Sequence, residues 1–575
     1  MAKGYRPVDR DQPFLFPPDM REWLAADHPV HLVIAAVERM DTSAFHAGRR
    51  TGGAGAAGYD PDMLATVLVW AYAHEVTSSR RIEELCRTDV AFRLVCGGNL
   101  PDHSTVARFR RAFEEAVGEF FAQALIVCAR LGMGRLGTVA LDGMKIAASA
   151  SKAANRAEAG LRRLAAEAVA AHAAADAAED ALFGAGLRGD EVPEQAWNPR
   201  SRDGRIRAAL AGLEAERAAA QAAEAAKAEG FRARQAAGQR TGCSPDSAAV
   251  ELAEEKLARV TAAQQAKIDE WRARNAASLA AAGRPAPNPP RRPASAHCRV
   301  RAAAAQVEKA RARAAEAGRR AAEKDKDRKG PGPVRNITDP DSRLMPVRGG
   351  GFLQGYNAQN VTSEDGLIIA TELTDDTTDM AWFEPMMTRA EDAAALIAAH
   401  RPASAPDSGQ DDGIGLALAD AGYCSQASLT CPGPDRLIAV AKRRDLEQAA
   451  RGGGTGPDWG GEAVQAMRER LKTEAGIGAY RQRGHIAETP HGHIKHNMGL
   501  RQLSVRGKAK ASAEWTFACA VYNLFKALTA GHLTLPALAA LAAPAGGDPA
   551  TRPPPEPIPQ HPVQRRGWGN HVVFT

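Results

Sequence analysis

The chain has 575 residues, so at about 150 residues per domain it is long enough for several domains and at least one large core. Hydrophobic residues make up 45% of the sequence and charged residues 25%, which are ordinary globular values and exclude wholesale disorder. The formal net charge is only +6, so the overall charge does not indicate a nucleic-acid partner.

The eight cysteines include no CxxC pair, which favours reduced thiols over a disulfide framework or a zinc ribbon. The N-terminus lacks the apolar run of a signal peptide, and the apolar stretch 528–543 is interrupted by Gly531, His532 and Pro536. We therefore expect a cytoplasmic protein without a membrane segment.

Residues 1–135 have the pattern of a helical domain. Segment 59–76 begins with an Asp-Pro pair and repeats apolar residues at spacings of three and four, which predicts an amphipathic helix. A second helix is predicted in 78–95 and a third in 101–132.

Arginines lie near the starts of the second and third predicted helices. Short successive helices with such arginines resemble a helix-turn-helix array that binds DNA, and an ordinary bundle with solvated arginines is the alternative. The candidate DNA-binding residues here are Arg80, Arg81, Arg108 and Arg110.

The periodicity changes at 136–150, where residues 138–141 form a short apolar run with β-branched members. Asp142 and Gly143 follow the run directly. We expect a buried strand with a carboxylate at its end.

Residues 151–335 are rich in alanine and charge, with thin apolar stripes that predict long helices. A helix over 203–238 would span about 50 Å at 1.5 Å per residue. The Pro-rich segment 284–294 is expected to break this helical arm. Residues 299–335 carry twelve Lys or Arg and five acids, which suits contact with DNA phosphates, although a solvated helix face is nearly as good a reading.

Strand patterns return after residue 350. Segment 351–374 contains two β-rich runs around an Asp-Gly turn, which predicts a hairpin, and a helix is expected near 380–400. Residues 416–419 form a second short apolar strand that leads into Asp420, and another strand is predicted at 436–443.

The C-terminal region is predicted to be helical from Ala463 to about 530, after a Gly-rich loop at 445–462. The Pro-rich tail beyond 544 is expected to be mobile.

Two aspartates at strand ends raise the question of a third carboxylate, because a pair of divalent cations needs several oxygen ligands on rigid elements. Glu488 is the one acid among seven Lys or Arg in 480–510. Lys495 follows seven residues later, about two helical turns away, although Pro490 suggests that the helix begins only there.

Several segments in this order resemble bacterial insertion-sequence transposases of the DDE class. The N-terminal segments are LFPPDMREWLAADHPVHLV and SSRRIEELCRTDVAFRLVCGGNLPDHSTVARFR. The later ones are NITDPDSRLMPVRGGGFLQGYNAQ, LADAGY and YRQRGHIAETPHGHIK, the last of which is similar to a Tyr-Arg-Glu-Lys signature.

The resemblance implies an α/β fold: an RNase H-like mixed-sheet catalytic core with a helical N-terminal domain and a long helical insertion after the first core strand. The implied domains are the DNA-binding domain 1–135, the first core strand 136–150, the insertion 151–335, the remaining core 336–530 and the tail 531–575.

The resemblance also implies that Asp142, Asp420 and Glu488 bind two Mg²⁺ ions, with Mn²⁺ as a substitute, and that Tyr480, Arg483 and Lys495 hold DNA phosphates. Four residues separate Arg483 from Glu488, one more than in the best-known signature, which leaves Arg481 and Glu474 as alternatives.

Other side chains compete for these roles. Asp375, Asp376 and Asp379 could supply the second carboxylate, but TDDTTDM is typical of a strand exit and a helix cap. The histidines of 485–496 fit no closed zinc pattern, which favours phosphate contact or solvation. Asn357 and Gln359 could touch DNA or pack within a strand.

The implied activity is metal-dependent DNA cleavage and strand transfer at the ends of an insertion sequence. Its partners would be double-stranded DNA, as terminal inverted repeats and target, and a second copy of the chain in a homodimer or larger synaptic assembly associated with the nucleoid. The alternatives are a catalytically silent DNA-binding protein descended from such an enzyme and a scaffold built on the alanine-rich helices.

Overall fold

A computed structural model of the chain describes residues 20–46, 58–183, 201–237, 248–290, 292–326, 334–347, 350–402, 413–440 and 461–541. The chain divides into two compact units, one of Met1–Ala154 with Asp341–Thr575 and one of Asn155–Pro340. In the ranges that the structure describes, no helix has the length and apolar character needed to cross a bilayer. Residues 542–575 of the predicted tail and most of the predicted Gly-rich loop lie outside the described residues. The start of the predicted tail is helical, because Leu535–Ala540 form a short helix.

Short helices precede the sheet in the first unit. They are α1 (Pro29–Val37), α2 (Ser43–His46), α3 (Pro61–Ala73), α4 (Ser79–Thr88), α5 (Val90–Cys96), α6 (His103–Arg111) and α7 (Phe113–Arg130).

The predicted helix that begins with an Asp-Pro pair is confirmed as α3, whose N-cap is Asp60. The single helix predicted in 78–95 is wrong, because Asp89 has an extended backbone that separates α4 from α5 and its side chain accepts the Phe92 N–H at 3.0 Å. The third predicted helix is likewise divided, at Ala112.

The sheet of the first unit is mixed. Its strands are β1 (Thr138–Ala147), β4 (Arg343–Pro346), β5 (Phe352–Ser363), β6 (Ile368–Thr374), β7 (Leu416–Ala419) and β8 (Asp435–Ile438). β4 and β6 both pair antiparallel with β5, β5 pairs antiparallel with β1, and β7 and β8 continue the sheet in parallel with β1. The predicted hairpin is β5 and β6, and this mixed α/β sheet agrees with the RNase H-like core expected from the sequence.

β1 is longer than predicted, and Asp142 lies within it and not at its end. The antiparallel pairing with β5 continues past Asp142, which is opposite Asn360, as far as Ala147. The parallel pairing with β7 stops earlier, at Leu141 beside Ala419. Asp142 therefore follows the last residue of β1 that pairs with β7.

The remaining helices of this unit flank the sheet. They are α12 (Phe383–His400), α13 (Gln426–Thr430), α14 (Glu462–Arg470), α15 (Glu474–His496), α16 (Lys508–Thr529) and α17 (Leu535–Ala540). The expectation that a helix begins at Pro490 is wrong, because α15 runs continuously through this buried proline. A proline lacks only one amide donor, and packing can offset that loss.

α16 joins the N-terminal helices to the sheet in one hydrophobic core. Phe517 stacks on Phe120 of α7 with ring centroids 5.4 Å apart. On the same helix, the fully buried Asn523 donates to the Ile368 carbonyl at 2.8 Å and accepts the Ile368 N–H at 2.9 Å.

The second unit is helical, as predicted for the insertion. Its helices are α8 (Glu158–Phe183), α9 (Arg202–Ala236), α10 (Ala249–Ala282) and α11 (Cys298–Lys326). The Pro-rich segment separates α10 from α11, and small apolar clusters around Leu161 and Phe231 hold the helices together. The sequence did not predict that β2 (Asn155–Ala157) and β3 (Val334–Asn336) pair antiparallel at the two ends of the unit.

Candidate active site

Asp142 and Asp420 lie at the same edge of the sheet, because each follows one member of the last parallel pair, Leu141 and Ala419. Asp420 begins a short helical turn in which its Oδ1 accepts the Gly422 N–H at 2.8 Å. Carboxyl ends of parallel strands meet at one edge, so the topology brings together the two aspartates that the sequence singled out.

Two basic side chains face Asp142. Arg483 places Nη1 3.6 Å from one carboxylate oxygen, and His491 places Nδ1 3.7 Å from the other. Burial raises the pKa of Asp142, but His491 and Arg483 outweigh it and hold the pKa below the usual range. His491 is buried, so it is not the solvated imidazole that the sequence analysis allowed.

Asp420 experiences the opposite electrostatic balance. Burial and the nearby charges of Asp142 and Asp379 raise its pKa, against a smaller lowering by the Gly422 amide and Arg483. Ionised Asp420 therefore carries negative charge that the surrounding protein groups do not fully offset.

Glu488 lies on α15, and its exposed carboxylate is 3.5 Å from Nη2 of Arg483. The guanidinium of Arg483 thus stands between Asp142 and Glu488. Glu474, the alternative, is the first residue of the same helix, about 21 Å away along the axis at 1.5 Å per residue. Arg481, the alternative to Arg483, is exposed to solvent.

Asp379, which the sequence analysis considered as a second carboxylate and assigned to a strand exit and helix cap, lies beside the two aspartates. Its Oδ1 accepts from the side-chain amides of Asn357 at 2.6 Å and Gln359 at 2.7 Å. The expected helix cap is wrong, since the N-cap residue of α12 is Trp382 and makes no side-chain cap bond. Asn357 and Gln359 are buried and bind Asp379, so they pack within the strand.

The donor set suits a hard divalent cation, because carboxylate oxygens are the ligands that Mg²⁺ and Mn²⁺ prefer. Among the described residues, the one set of three whose ligand atoms all lie within 4.8 Å of one another is His46, Asp60 and Asp62, on the exposed surface. The carboxylates of the candidate site are spaced more widely, as expected for mutually repelling anions.

The candidate DNA-contacting residues fall into two groups. Arg80, Arg81 and Arg108 are exposed on α4 and α6, and Lys495 is partly exposed on α15. Arg110 instead packs over the Tyr72 ring at 5.6 Å and donates to Ser504 Oγ at 3.1 Å. Likewise, the Tyr480 hydroxyl donates to the Ala419 carbonyl at 3.3 Å, next to Asp420. Arg110 and Tyr480 thus make contacts within the fold.

A mixed sheet with aspartates where two adjacent parallel strands stop pairing is the arrangement expected of an RNase H-like core. Residues 18–112 match a family described as Transposase domain (DUF772), and residues 457–528 match one described as Transposase DDE domain. Both matches support an insertion-sequence transposase of the DDE class. Comparisons with curated proteins and with solved structures found no match.

Proposed function

We propose that this transposase cuts DNA at the ends of an insertion sequence and joins the freed ends to a new site, using divalent cations held by Asp142, Asp420 and Glu488. The observation that carries the proposal is the placement of the two aspartates at one sheet edge, beside the helix that bears Glu488 within the matched DDE domain.

Two Mg²⁺ ions, or Mn²⁺ in their place, would supply activation of the attacking oxygen and stabilisation of charge on the phosphate. The chain's own residues hold the site in shape. Tyr480 anchors the end of β7 beside Asp420, and the partly buried Arg483 orients Asp142 and Glu488 through one guanidinium. No histidine base would be required, because bound divalent cations would lower the pKa of the nucleophile.

DNA would bind through phosphate contacts on more than one element. The exposed Arg80, Arg81 and Arg108 supply cations on α4 and α6, and Lys495 supplies one two turns beyond Glu488 on α15. Two ends of the element must be held together for transposition, so we expect the active species to be a homodimer or a larger assembly in the cytoplasm, on nucleoid DNA.

The test is an in vitro strand-transfer assay with labelled DNA that carries the inverted repeats flanking this reading frame. Cleavage and joining are expected with Mg²⁺ or Mn²⁺ and not with EDTA. Asp142→Asn and Asp420→Asn should each abolish both steps, and Asp392→Asn, which removes an exposed carboxylate on α12, should leave them unchanged. DNA binding without cleavage by the wild-type chain would instead identify a catalytically silent protein.

A further inference from the structure

Asp379 is held in a fixed orientation by neighbours on two strands. Its Oδ1 accepts from Asn357 and Gln359 on β5, and Lys145 of β1 places Nζ 3.5 Å from the same oxygen. The orientation of Gln359 is itself fixed, because its Oε1 accepts the hydroxyl of the buried Tyr423. One carboxylate oxygen is thus saturated by protein donors.

The other oxygen, Oδ2, makes no hydrogen bond to the described part of the chain and lies on the side of Asp420. A Cβ atom added to Gly422 would lie 3.3 Å from Asp379 Oδ2 and 2.9 Å from Asp420 Oδ1. A Cβ atom added to Gly143 would lie 2.6 Å from Asp379 Oδ1. The carboxylate therefore lies close to both Gly143, which follows Asp142 directly, and Gly422, which is two residues beyond Asp420.

The carboxylates of Asp142, Asp379 and Asp420 lie near one another, so their mutual repulsion favours the binding of a cation. Asp379 raises the pKa of Asp420 after burial and Asp142 have done so, and Lys145 is the basic group in contact with Asp379. By comparison, Glu488 has a side chain that is 64% exposed, whereas the side chain of Asp379 is 23% exposed. A partly buried carboxylate with one tethered oxygen and one open oxygen has the form of a preorganised cation ligand.

We propose that Asp379 supplies a further oxygen ligand to the divalent cations held by Asp142 and Asp420. The inference rests on the proposed function, and it adds a residue outside the three carboxylates that the resemblance implies. The competing explanation is that Asp379 acts only as the counter-ion of Lys145.

Variants of Asp379 and Lys145 distinguish the two explanations by their affinity for Mn²⁺. The affinity of each full-length variant is measured by titration calorimetry and by the loss of the EPR signal of free Mn²⁺. Asp379→Asn keeps an oxygen acceptor for Asn357 and Gln359. We expect it to weaken Mn²⁺ binding at least tenfold, the same loss that we expect for Asp142→Asn. Asp376→Asn, a control in the same loop, should change the affinity less than twofold.

The double variant Lys145→Met with Asp379→Asn is decisive. A ligand role predicts that binding stays weak in the double variant, because the missing oxygen is not replaced. A counter-ion role predicts a return to wild-type affinity, because the unpaired lysine charge is gone, and that result would overturn the inference. Wild-type affinity in Asp379→Asn alone would overturn it as well.

A measurement on the wild-type chain does not depend on how the variants fold. Fe²⁺ bound in place of Mn²⁺, with ascorbate and peroxide, should cut the backbone near residue 379 as well as near 142 and 420. Cuts near 142 and 420 without one near 379 would exclude Asp379 as a ligand and leave the proposed function standing. If the wild-type chain neither bound Mn²⁺ nor cleaved DNA, both the proposed function and the ligand role of Asp379 would be wrong.

Discussion

Arg483 holds its Nη1 atom 3.6 Å from Asp142, and this buried guanidinium nitrogen makes no hydrogen bond within the part of the chain that the structure describes. Its charge therefore acts on Asp142 through space. We predict that Arg483→Gln lowers the cleavage rate by roughly 10²-fold, the size typical of losing one preorganised electrostatic partner. Single-turnover cleavage kinetics provide the measurement. Arg481→Gln, on the exposed side of α15, should retain the wild-type rate, and equal losses in both variants would argue for general DNA affinity instead.

The two aspartates at the sheet edge should have opposite effects on stability. The folded-state pKa of Asp142 is lowered, so its ionised form stabilises the fold above the unfolded value and this contribution is lost as pH falls through the folded pKa. The pKa of Asp420 is raised, so its ionised form destabilises the fold at neutral pH, and that cost disappears as pH falls through the raised value.

Thermal unfolding at pH 7 with EDTA should therefore show a lower Tm for Asp142→Asn and a higher Tm for Asp420→Asn than for the wild type. The difference for Asp420→Asn should disappear first on acidification, because the pKa of Asp420 is raised, and the difference for Asp142→Asn should persist to lower pH, because the pKa of Asp142 is lowered. A change of the same sign in the two variants at pH 7 would contradict this electrostatic description.

Asn523 joins α16 to the outer strand β6 through both backbone groups of Ile368. Asn523→Ala would leave a buried donor and a buried acceptor without partners, at a cost of about 2 to 4 kcal/mol. Denaturant unfolding measures this loss. Thr529→Ala, at the exposed end of the same helix, should change the free energy of unfolding by less than about 0.5 kcal/mol.

The site requires a glycine at position 143 because the side chains of Asp379 and Gln359 leave no room for a Cβ atom. The backbone conformation of Gly143 does not require glycine. Gly143→Ala would bring a methyl group 2.6 Å from Asp379 Oδ1 and 2.7 Å from Gln359 Nε2, which forces both side chains to move. We expect a loss of cleavage of at least about tenfold, because shifts of 1 Å at a reacting centre can cost 10²-fold. Gly118→Ala on α7 should keep full activity, because among the described residues its new methyl group would meet nothing within 4 Å beyond the backbone of its own helix.

The sequence predicts those site residues that follow a recognisable local pattern of secondary structure. A short apolar run before Asp420 identified the end of β7, because a buried parallel strand has that composition. The full length of β1 was not predictable, since its continuation past Asp142 depends on pairing with β5, which is remote in sequence.

Residues whose role depends on tertiary contacts were misread. Pro490 indicated a helix start because its local effect is to remove a hydrogen bond, yet packing keeps α15 continuous. Asp379 follows a strand in a segment typical of caps, and only the fold places it against Asn357 and Gln359. Asp89 shows the reverse case, a capping residue hidden inside a helical pattern.

The pairing of β2 with β3 fastens the first and last residues of the alanine-rich unit to each other. The two paired strands fix the distance between the ends of the unit. A change in the number of residues between them therefore has little effect on the position of the chain on either side. Such a segment is free to gain or lose helical turns over generations while the catalytic fold stays the same, so lineages of this transposase can diverge fastest there.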